Sequence, residues 1–269
     1  EELQHAAIDA LIAAPPERAL PLVQKVLSGN HSLEMKERAL FILSQIDRPE
    51  AVTKVVEVAT TAEGDLQLEA IRMIGISGNA ESLAQLRSIY DSGDGDTREA
   101  VLEAYMIADD TQSVYDIAAQ AEGDDFEAAV ETLSVMDARD ELRELLSLTG
   151  ASEALIEAYA LSGDFESLRQ MAADTSNEEM QIEAIEAMGL VDGDEVGRAL
   201  VAIFENATSA DVREAAMDGL MLSDNDQHLL QLYRSASDVG VKKMLLETLV
   251  MMESDEVWDI VDAALDGSR

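Results

Sequence analysis

The chain has 269 residues, with 18 Lys and Arg against 56 Asp and Glu, and therefore a formal net charge of -38. Apolar residues make up 47% of it, enough for a sizeable core, which excludes an acidic disordered tail. The absence of cysteine excludes disulfides, thiolate metal sites and a cysteine nucleophile. Because aromatic residues and Pro are scarce whereas Ala, Leu, Glu and Met are plentiful, the composition favours an all-α chain.

A pattern of small and aliphatic residues recurs along the chain, from Ala7-Ile8 to Met244-Leu245. Its successive occurrences are 32, 31, 30, 29, 25, 30, 31 and 29 residues apart, and the intervening ones begin at Ala39, Ala70, Ala100, Ala129, Ala154, Ala184 and Ala215. In each unit, apolar residues at helical spacing lie on both sides of a short break rich in Gly, Asp or Asn. We therefore predict nine pairs of amphipathic helices, with an irregular twist at the 25-residue interval.

Helix starts can also be predicted from the sequence. Asp96, Asp164 and Asp255 are predicted N-caps because a carboxylate can accept hydrogen bonds from the free N–H groups of a first turn. In the last unit Trp258 and Met251-Met252 are predicted core residues. A single helical pair cannot bury its apolar stripe, so neighbouring pairs must stack on one another.

Two segments resemble HEAT repeats. The first is Lys36-Glu37-Arg38-Ala39-Leu40-Phe41-Ile42-Leu43 with Asp47-Arg48-Pro49-Glu50-Ala51, and the second is Asp211-Val212-Arg213-Glu214-Ala215-Ala216. The resemblance covers nearly all of residues 1–266. It implies a right-handed alpha-alpha superhelix, or solenoid, of about nine helical hairpins in one domain over residues 1–269. Tetratricopeptide repeats would need a 34-residue period with aromatic signature positions, and armadillo repeats a third helix per unit.

The sequence contains no recognisable catalytic motif. His5, His31 and His228 lie in separate units, outside any H-E-x-x-H pattern, and none is followed by Glu as in the His-Glu pairs of some HEAT-like di-iron enzymes. Nucleotide-binding and serine-hydrolase motifs are missing, and two Asp/Gly-rich loops lack the oxygen ligands that a calcium loop requires. We therefore predict no catalytic residue, no cofactor and no metal site.

The charge restricts the class of partner. Nucleic acid and anionic membrane surfaces would be repelled, and no apolar run approaches the roughly 18 residues of a spanning helix. Two explanations for the acidic surface stay open. Either a basic partner binds it, or it is an adaptation to salty surroundings, since the acids are spread along every unit.

The few basic residues follow a pattern, because most predicted second helices carry one. The HEAT resemblance implies that second helices line the concave side of the array, where a less acidic groove would face a partner. The candidate partner-binding residues in this groove are Lys54, Arg87, Arg143, Arg169, Arg198 and Arg234. The alternative is that these cations pair with neighbouring acids on the same helix, which stabilises little.

The main interpretation is a monomeric, non-enzymatic scaffold that offers an extended concave groove to a protein or peptide. The alternatives are an enzyme or enzyme accessory in the manner of HEAT-like bilin lyases, and a structural spacer. Because the chain begins at Glu1 without methionine, we expect a module of a longer or processed chain. Together with the acidic surface, this slightly favours the cell envelope over the cytoplasm.

Overall fold

The computed structural model describes residues 2–223, 226–252 and 256–265, and every regular element within them is a helix. The 18 helices are α1 (Glu2–Asp9), α2 (Pro16–Ser28), α3 (Leu33–Ser44), α4 (Pro49–Thr61), α5 (Asp65–Ser77), α6 (Ala80–Ser92), α7 (Gly95–Ile107), α8 (Thr111–Ala118), α9 (Asp124–Val135), α10 (Arg139–Thr149), α11 (Glu153–Ser162), α12 (Phe165–Ala172), α13 (Glu178–Met188), α14 (Asp194–Asn206), α15 (Ala210–Leu222), α16 (Asp226–Ser235), α17 (Val239–Met251) and α18 (Val257–Leu265). Odd-numbered helices are the predicted first helices and even-numbered ones the second helices. The prediction of an all-α fold built from helical pairs is confirmed. No described helix is long and apolar enough to cross a membrane.

The chain forms two compact units, Glu1–Glu141 and Leu142–Arg269. The division falls inside the shortest interval of the sequence pattern. In the first unit α3 packs on α5, α5 on α7 and α7 on α9, and in the second α11 packs on α13 and α13 on α15. First helices therefore stack on first helices within each unit, and their apolar stripes merge into a core. The prediction of one continuous domain over residues 1–269 stays a prediction.

Small residues allow the first helices to approach closely. The alanines that begin most buried stripes, such as Ala39, Ala70 and Ala129, are fully buried. At Gly75 of α5 a Cβ atom would lie 2.6 Å from the carbonyl oxygen of Ala104 on α7, which is closer than any real contact. Glycine is therefore required where these two helices cross.

The capping predictions are partly right. Asp164 is the N-cap of α12, as predicted. The prediction for Asp96 is wrong, because Asp94 already has extended backbone and its carboxylate accepts the hydrogen bond from the N–H of Thr97 at 3.0 Å. Asp96 lies instead in the first turn of α7. Asp255 lies outside the described residues.

The last repeat does not bury its large side chains as predicted. Trp258 and Met251 are exposed, so their assignment to the core is wrong. Within the described residues no helix follows α18, so no later repeat packs on Trp258 there. Met251 lies near the end of its first helix, where earlier repeats also expose an aliphatic residue, such as Ile107.

Candidate functional site

Carboxylates line the exposed surface of the first helices in the first unit. On α7, for example, Asp96, Glu99 and Glu103 follow one another at spacings of three and four residues, which places them on one side of the helix. Two adjoining cavities of about 540 and 400 Å³ lie along this surface, and these three residues line both. We name this surface the acidic groove, and its carboxylates belong to Glu37, Asp65, Glu69, Asp96, Glu99, Glu103, Asp124, Asp125 and Glu131.

The acidic groove contains two guanidinium groups for its nine carboxylates. Arg72 lies 3.9 Å from Glu69, and Arg98 contacts Asp125 at 2.6 Å. Burial is the main cause of the raised pKa of Glu69. The nearby Glu37 raises this pKa further, whereas Arg72 lowers it. Negative charge in the groove is therefore only partly compensated.

The larger cavity contains a buried hydroxyl group without a partner. Tyr90 lines the cavity and is 6% exposed, and its hydroxyl oxygen has no hydrogen-bond partner among the described residues. The guanidinium of Arg98 lies 5.7 Å from the centre of the Tyr90 ring. Burial raises the pKa of Tyr90, and Asp125 raises it further. A buried hydroxyl of this kind costs free energy unless a ligand or water supplies a partner.

The first helices of the second unit also crowd their acids. The pKa of Glu183 on α13 is raised by burial and by four other glutamates, which are Glu153, Glu157, Glu179 and Glu186. The pKa of Asp218 on α15 is raised by burial and by Glu214. In both units, therefore, acids on first helices have other acids as close neighbours.

All six candidate cations lie on even-numbered helices, as the sequence predicts. Several of them pair with an acid one turn away on the same helix. Lys54 contacts Glu57 at 2.6 Å, and Arg169 donates two hydrogen bonds to Glu166, at 2.6 and 3.1 Å. Arg198 pairs in the same way with Asp194. Their positive charge is locally compensated.

Two further candidates contact residues outside their own helix. Arg87 donates from Nε to Asp91 at 2.9 Å and from Nη1 to the carbonyl oxygen of Asp116 at 3.2 Å, which links α6 to α8. Arg234 contacts Glu256 at 2.7 Å. Ion pairs therefore engage these cations too, and their role in binding a partner stays a prediction.

Arg143 makes the most buried of these ion pairs. Its Nε and Nη2 atoms lie 3.0 and 2.8 Å from one carboxylate oxygen of Asp164, whose side chain is almost fully buried. The same carboxylate accepts hydrogen bonds from the backbone N–H and the hydroxyl of Ser167, at 3.3 and 2.9 Å. This cluster holds α10 against the start of α12 and has a structural role.

Two of the three histidines lie within 4 Å of a carboxylate. His5 is 3.6 Å from Glu34, and His228 is 3.7 Å from Asp194. No group of three or more His, Asp or Glu side chains in the described part of the chain could hold a metal ion.

The sequence predicts the second-helix cations but does not predict the acidic groove. One cation per repeat is conspicuous in an acidic chain, whereas any single carboxylate is not. The available signal was register, because Asp65, Asp96 and Asp124 all lie in the first turn of successive first helices. The sequence does not single out Tyr90, because whether its hydroxyl has a hydrogen-bond partner depends on packing.

The family comparison agrees with this architecture. A family model of HEAT repeats matches residues 32–106, a segment that includes α3 to α6 and most of α7. The predicted resemblance to HEAT repeats is confirmed over this segment. The matched segment carries most of the smaller cavity of the acidic groove.

Solved structures with low sequence identity also resemble the chain. Human deoxyhypusine hydroxylase in complex with glycerol is 15% identical, with 94% of this chain and 98% of that chain covered and a TM-score of 0.37. The complex of CpcE and CpcF of phycocyanin lyase from Nostoc sp. PCC7120 is 18% identical, with coverages of 89% and 95% and a TM-score of 0.36. Scores this low support no transfer of activity. No curated protein sequence matches the chain.

Proposed function

We propose that this protein is a monomeric, non-enzymatic scaffold that binds a basic protein or peptide through the acidic groove. The observation that carries the proposal is the excess of nine carboxylates over two guanidinium groups along two adjoining cavities. Complementary charge accelerates encounter with a basic partner and fixes its orientation.

The second helices are the alternative binding surface. Their row of cations, which includes Lys54 and Arg87, supports the concave groove that the HEAT resemblance implies. A partner at this surface must compete with ion pairs that already exist, such as those of Arg169 and Arg198. Among the described residues, most carboxylates of the acidic groove form no ion pair that a partner would have to displace. We therefore favour the acidic groove as the binding surface.

A basic peptide tests this proposal against an effect of net charge alone. A Lys-rich peptide labelled with a fluorophore is titrated with the wild type and with two variants at about 0.15 M salt, and its affinity for each is measured. The groove variant is Asp96→Asn/Glu99→Gln/Glu103→Gln/Asp124→Asn. The control variant neutralises four exposed acids on second helices: Glu50→Gln/Glu81→Gln/Glu144→Gln/Glu205→Gln.

We expect the groove variant to bind at least about fourfold more weakly than wild type, because each of the four lost charge contacts contributes roughly 0.2–1 kcal/mol. The control variant, with the same change in net charge, should stay within about twofold of wild type. Equal losses in both variants would show that the overall field attracts the peptide without a site. Absence of binding to the wild type would refute the proposal.

A further inference from the structure

Large aliphatic side chains are exposed at one recurrent position on the first helices. In the first unit these are Ile76, Ile107 and Val135, which are 48%, 44% and 68% exposed. Each lies six residues after a residue in the buried stripe of its own helix, at or next to the C-terminal end. We name these three residues the apolar row.

The same position is also aliphatic and exposed in the second unit. It is occupied there by Leu161, Leu190, Leu222 and Met251. A single exposed aliphatic residue is normal on a protein surface. Its repetition near the C-terminal ends of α5, α7 and α9 indicates a surface with a defined chemistry in the first unit.

The apolar row borders the acidic groove. Ile107 follows Glu103 by four residues and Val135 follows Glu131 by four, so each pair shares one side of its helix. Val135 also lines the 540 Å³ cavity to which Asp124 belongs. This cavity therefore combines carboxylates along α7 and α9 with an aliphatic side chain at the C-terminal end of α9.

We infer that the partner segment is an amphipathic helix with Lys or Arg on one face and aliphatic residues on the adjacent face. This inference rests on the proposed function and deepens it. The basic face would lie over the carboxylates and the aliphatic face over the apolar row, across α5, α7 and α9. Burial of Ile76, Ile107 and Val135 would add a hydrophobic contribution that charge alone does not give.

Helix geometry favours a helical partner over an extended one. Packed helices lie about 8–10 Å apart, which sets the spacing of the apolar row across neighbouring first helices. A helix rises about 1.5 Å per residue, so residues i and i+7 share a face about 10.5 Å apart and match this spacing. In an extended strand, residues about 10 Å apart are i and i+3, which point to opposite faces. Spanning three first helices takes roughly 15 residues of partner helix.

In the described part of the chain, the Tyr90 hydroxyl is an unsatisfied polar group next to the 540 Å³ cavity. It is buried in the wall of the same cavity and has no partner among the described residues. A Lys ammonium from the basic face of the partner can occupy the cavity, but it reaches this solvent-inaccessible oxygen only if the cavity wall moves. The neighbouring carboxylates of Asp124 and Glu131 would compensate its charge.

Two 18-residue peptides of identical Lys and Leu composition test the inference. In one, Lys and Leu occupy separate helical faces; in the other, both are spread evenly around the helix. Binding is measured by fluorescence anisotropy and helix formation by circular dichroism. Two variants are compared with wild type: Ile76→Ser/Ile107→Ser/Val135→Ser in the apolar row, and a control, Leu22→Ser/Leu33→Ser/Leu148→Ser, at exposed leucines elsewhere.

We expect the segregated peptide to become helical on binding and to bind wild type at least about tenfold more tightly than the even peptide. The apolar-row variant should lose this preference while keeping its affinity for the even peptide, and the control variant should retain the preference. Equal binding of both peptides, or a preference that survives in the apolar-row variant, would overturn the inference but leave the proposed function standing. Failure of both peptides to bind wild type would refute the proposed function itself.

Discussion

The first and second helices of the repeats differ in how their charged side chains are paired. On the first helices, acids lie next to other acids, and the pKa of Glu69, Glu183 and Asp218 is raised by burial and by these neighbours. On the second helices, cations such as Lys54 and Arg169 have an acid within hydrogen-bonding distance. The comparison shows that the net charge of -38 is not evenly compensated over the surface. In the acidic groove, nine carboxylates have two guanidinium groups among them.

Helix packing is one cause of this difference. First helices approach closely through small residues such as Gly75, which brings acids at equivalent positions of neighbouring repeats side by side. Most second-helix cations instead find an acid three or four residues away on their own helix, which needs no neighbouring repeat. Substitutions on the two surfaces should therefore change the free energy of unfolding by different amounts.

The largest effect is expected where a second-helix ion pair is buried. Asp164→Ala removes the acceptor of hydrogen bonds from Arg143 and Ser167 together with the N-cap of α12. We expect a loss of about 3 kcal/mol in the free energy of unfolding, measured by urea denaturation. As a control, Glu166→Ala removes the exposed partner of Arg169 and should leave the urea midpoint nearly unchanged. Similar losses in the two variants would contradict the structural role of Asp164.

A smaller effect should follow from separating two first helices. Gly75→Ala places a Cβ atom against the backbone of Ala104, and α5 and α7 must move apart. We expect a loss of about 1–3 kcal/mol in the free energy of unfolding. Gly95→Ala is the matched control, because nothing lies within 4 Å of its Cβ position, and it should be neutral or slightly stabilising. A neutral Gly75→Ala variant would show that the first helices do not approach this closely.

Some of this architecture was predictable because it repeats. The period of about 30 residues and the buried stripes starting near Ala39, Ala70 and Ala129 predict the helical pairs. The second-helix cations were predictable for the same reason. The sequence does not reveal that a residue such as Tyr90 lacks a hydrogen-bond partner, because that depends on atoms from several helices. The exposure of Trp258 was mispredicted because an apolar residue at the end of a stack resembles one inside it.

The smallest effect concerns pH. Since the folded state raises the pKa of Glu69, Glu183 and Asp218, it binds protons more readily than the unfolded chain at these groups. Their ionisation therefore destabilises the fold above the raised pKa, and this cost is relieved as the pH falls through it. Acids with a lowered pKa, such as Asp94 and Glu166, oppose this only near and below their usual values of 3.8 and 4.5. We expect the urea midpoint to rise when the pH falls from about 7 to about 5.5 at constant salt.

A variant separates crowding from the effect of net charge in this pH response. Glu69→Gln/Glu183→Gln/Asp218→Asn should show a smaller rise in the urea midpoint than Glu50→Gln/Glu81→Gln/Glu205→Gln, which changes the net charge equally on second helices. Identical rises in the two variants would show that first-helix acids are no more crowded than the others.

The central claim is that a basic partner binds the first-helix surface and not the second-helix surface. Zero-length carbodiimide crosslinking of a Lys-rich peptide, mapped by mass spectrometry, tests it directly because only carboxylates in contact with an amine react. We predict that crosslinks in the first unit concentrate at acidic-groove residues such as Glu99, Glu103 and Glu131. Crosslinks that fall mainly on second-helix acids such as Glu50 and Glu81, or that follow exposure alone, would contradict the claim.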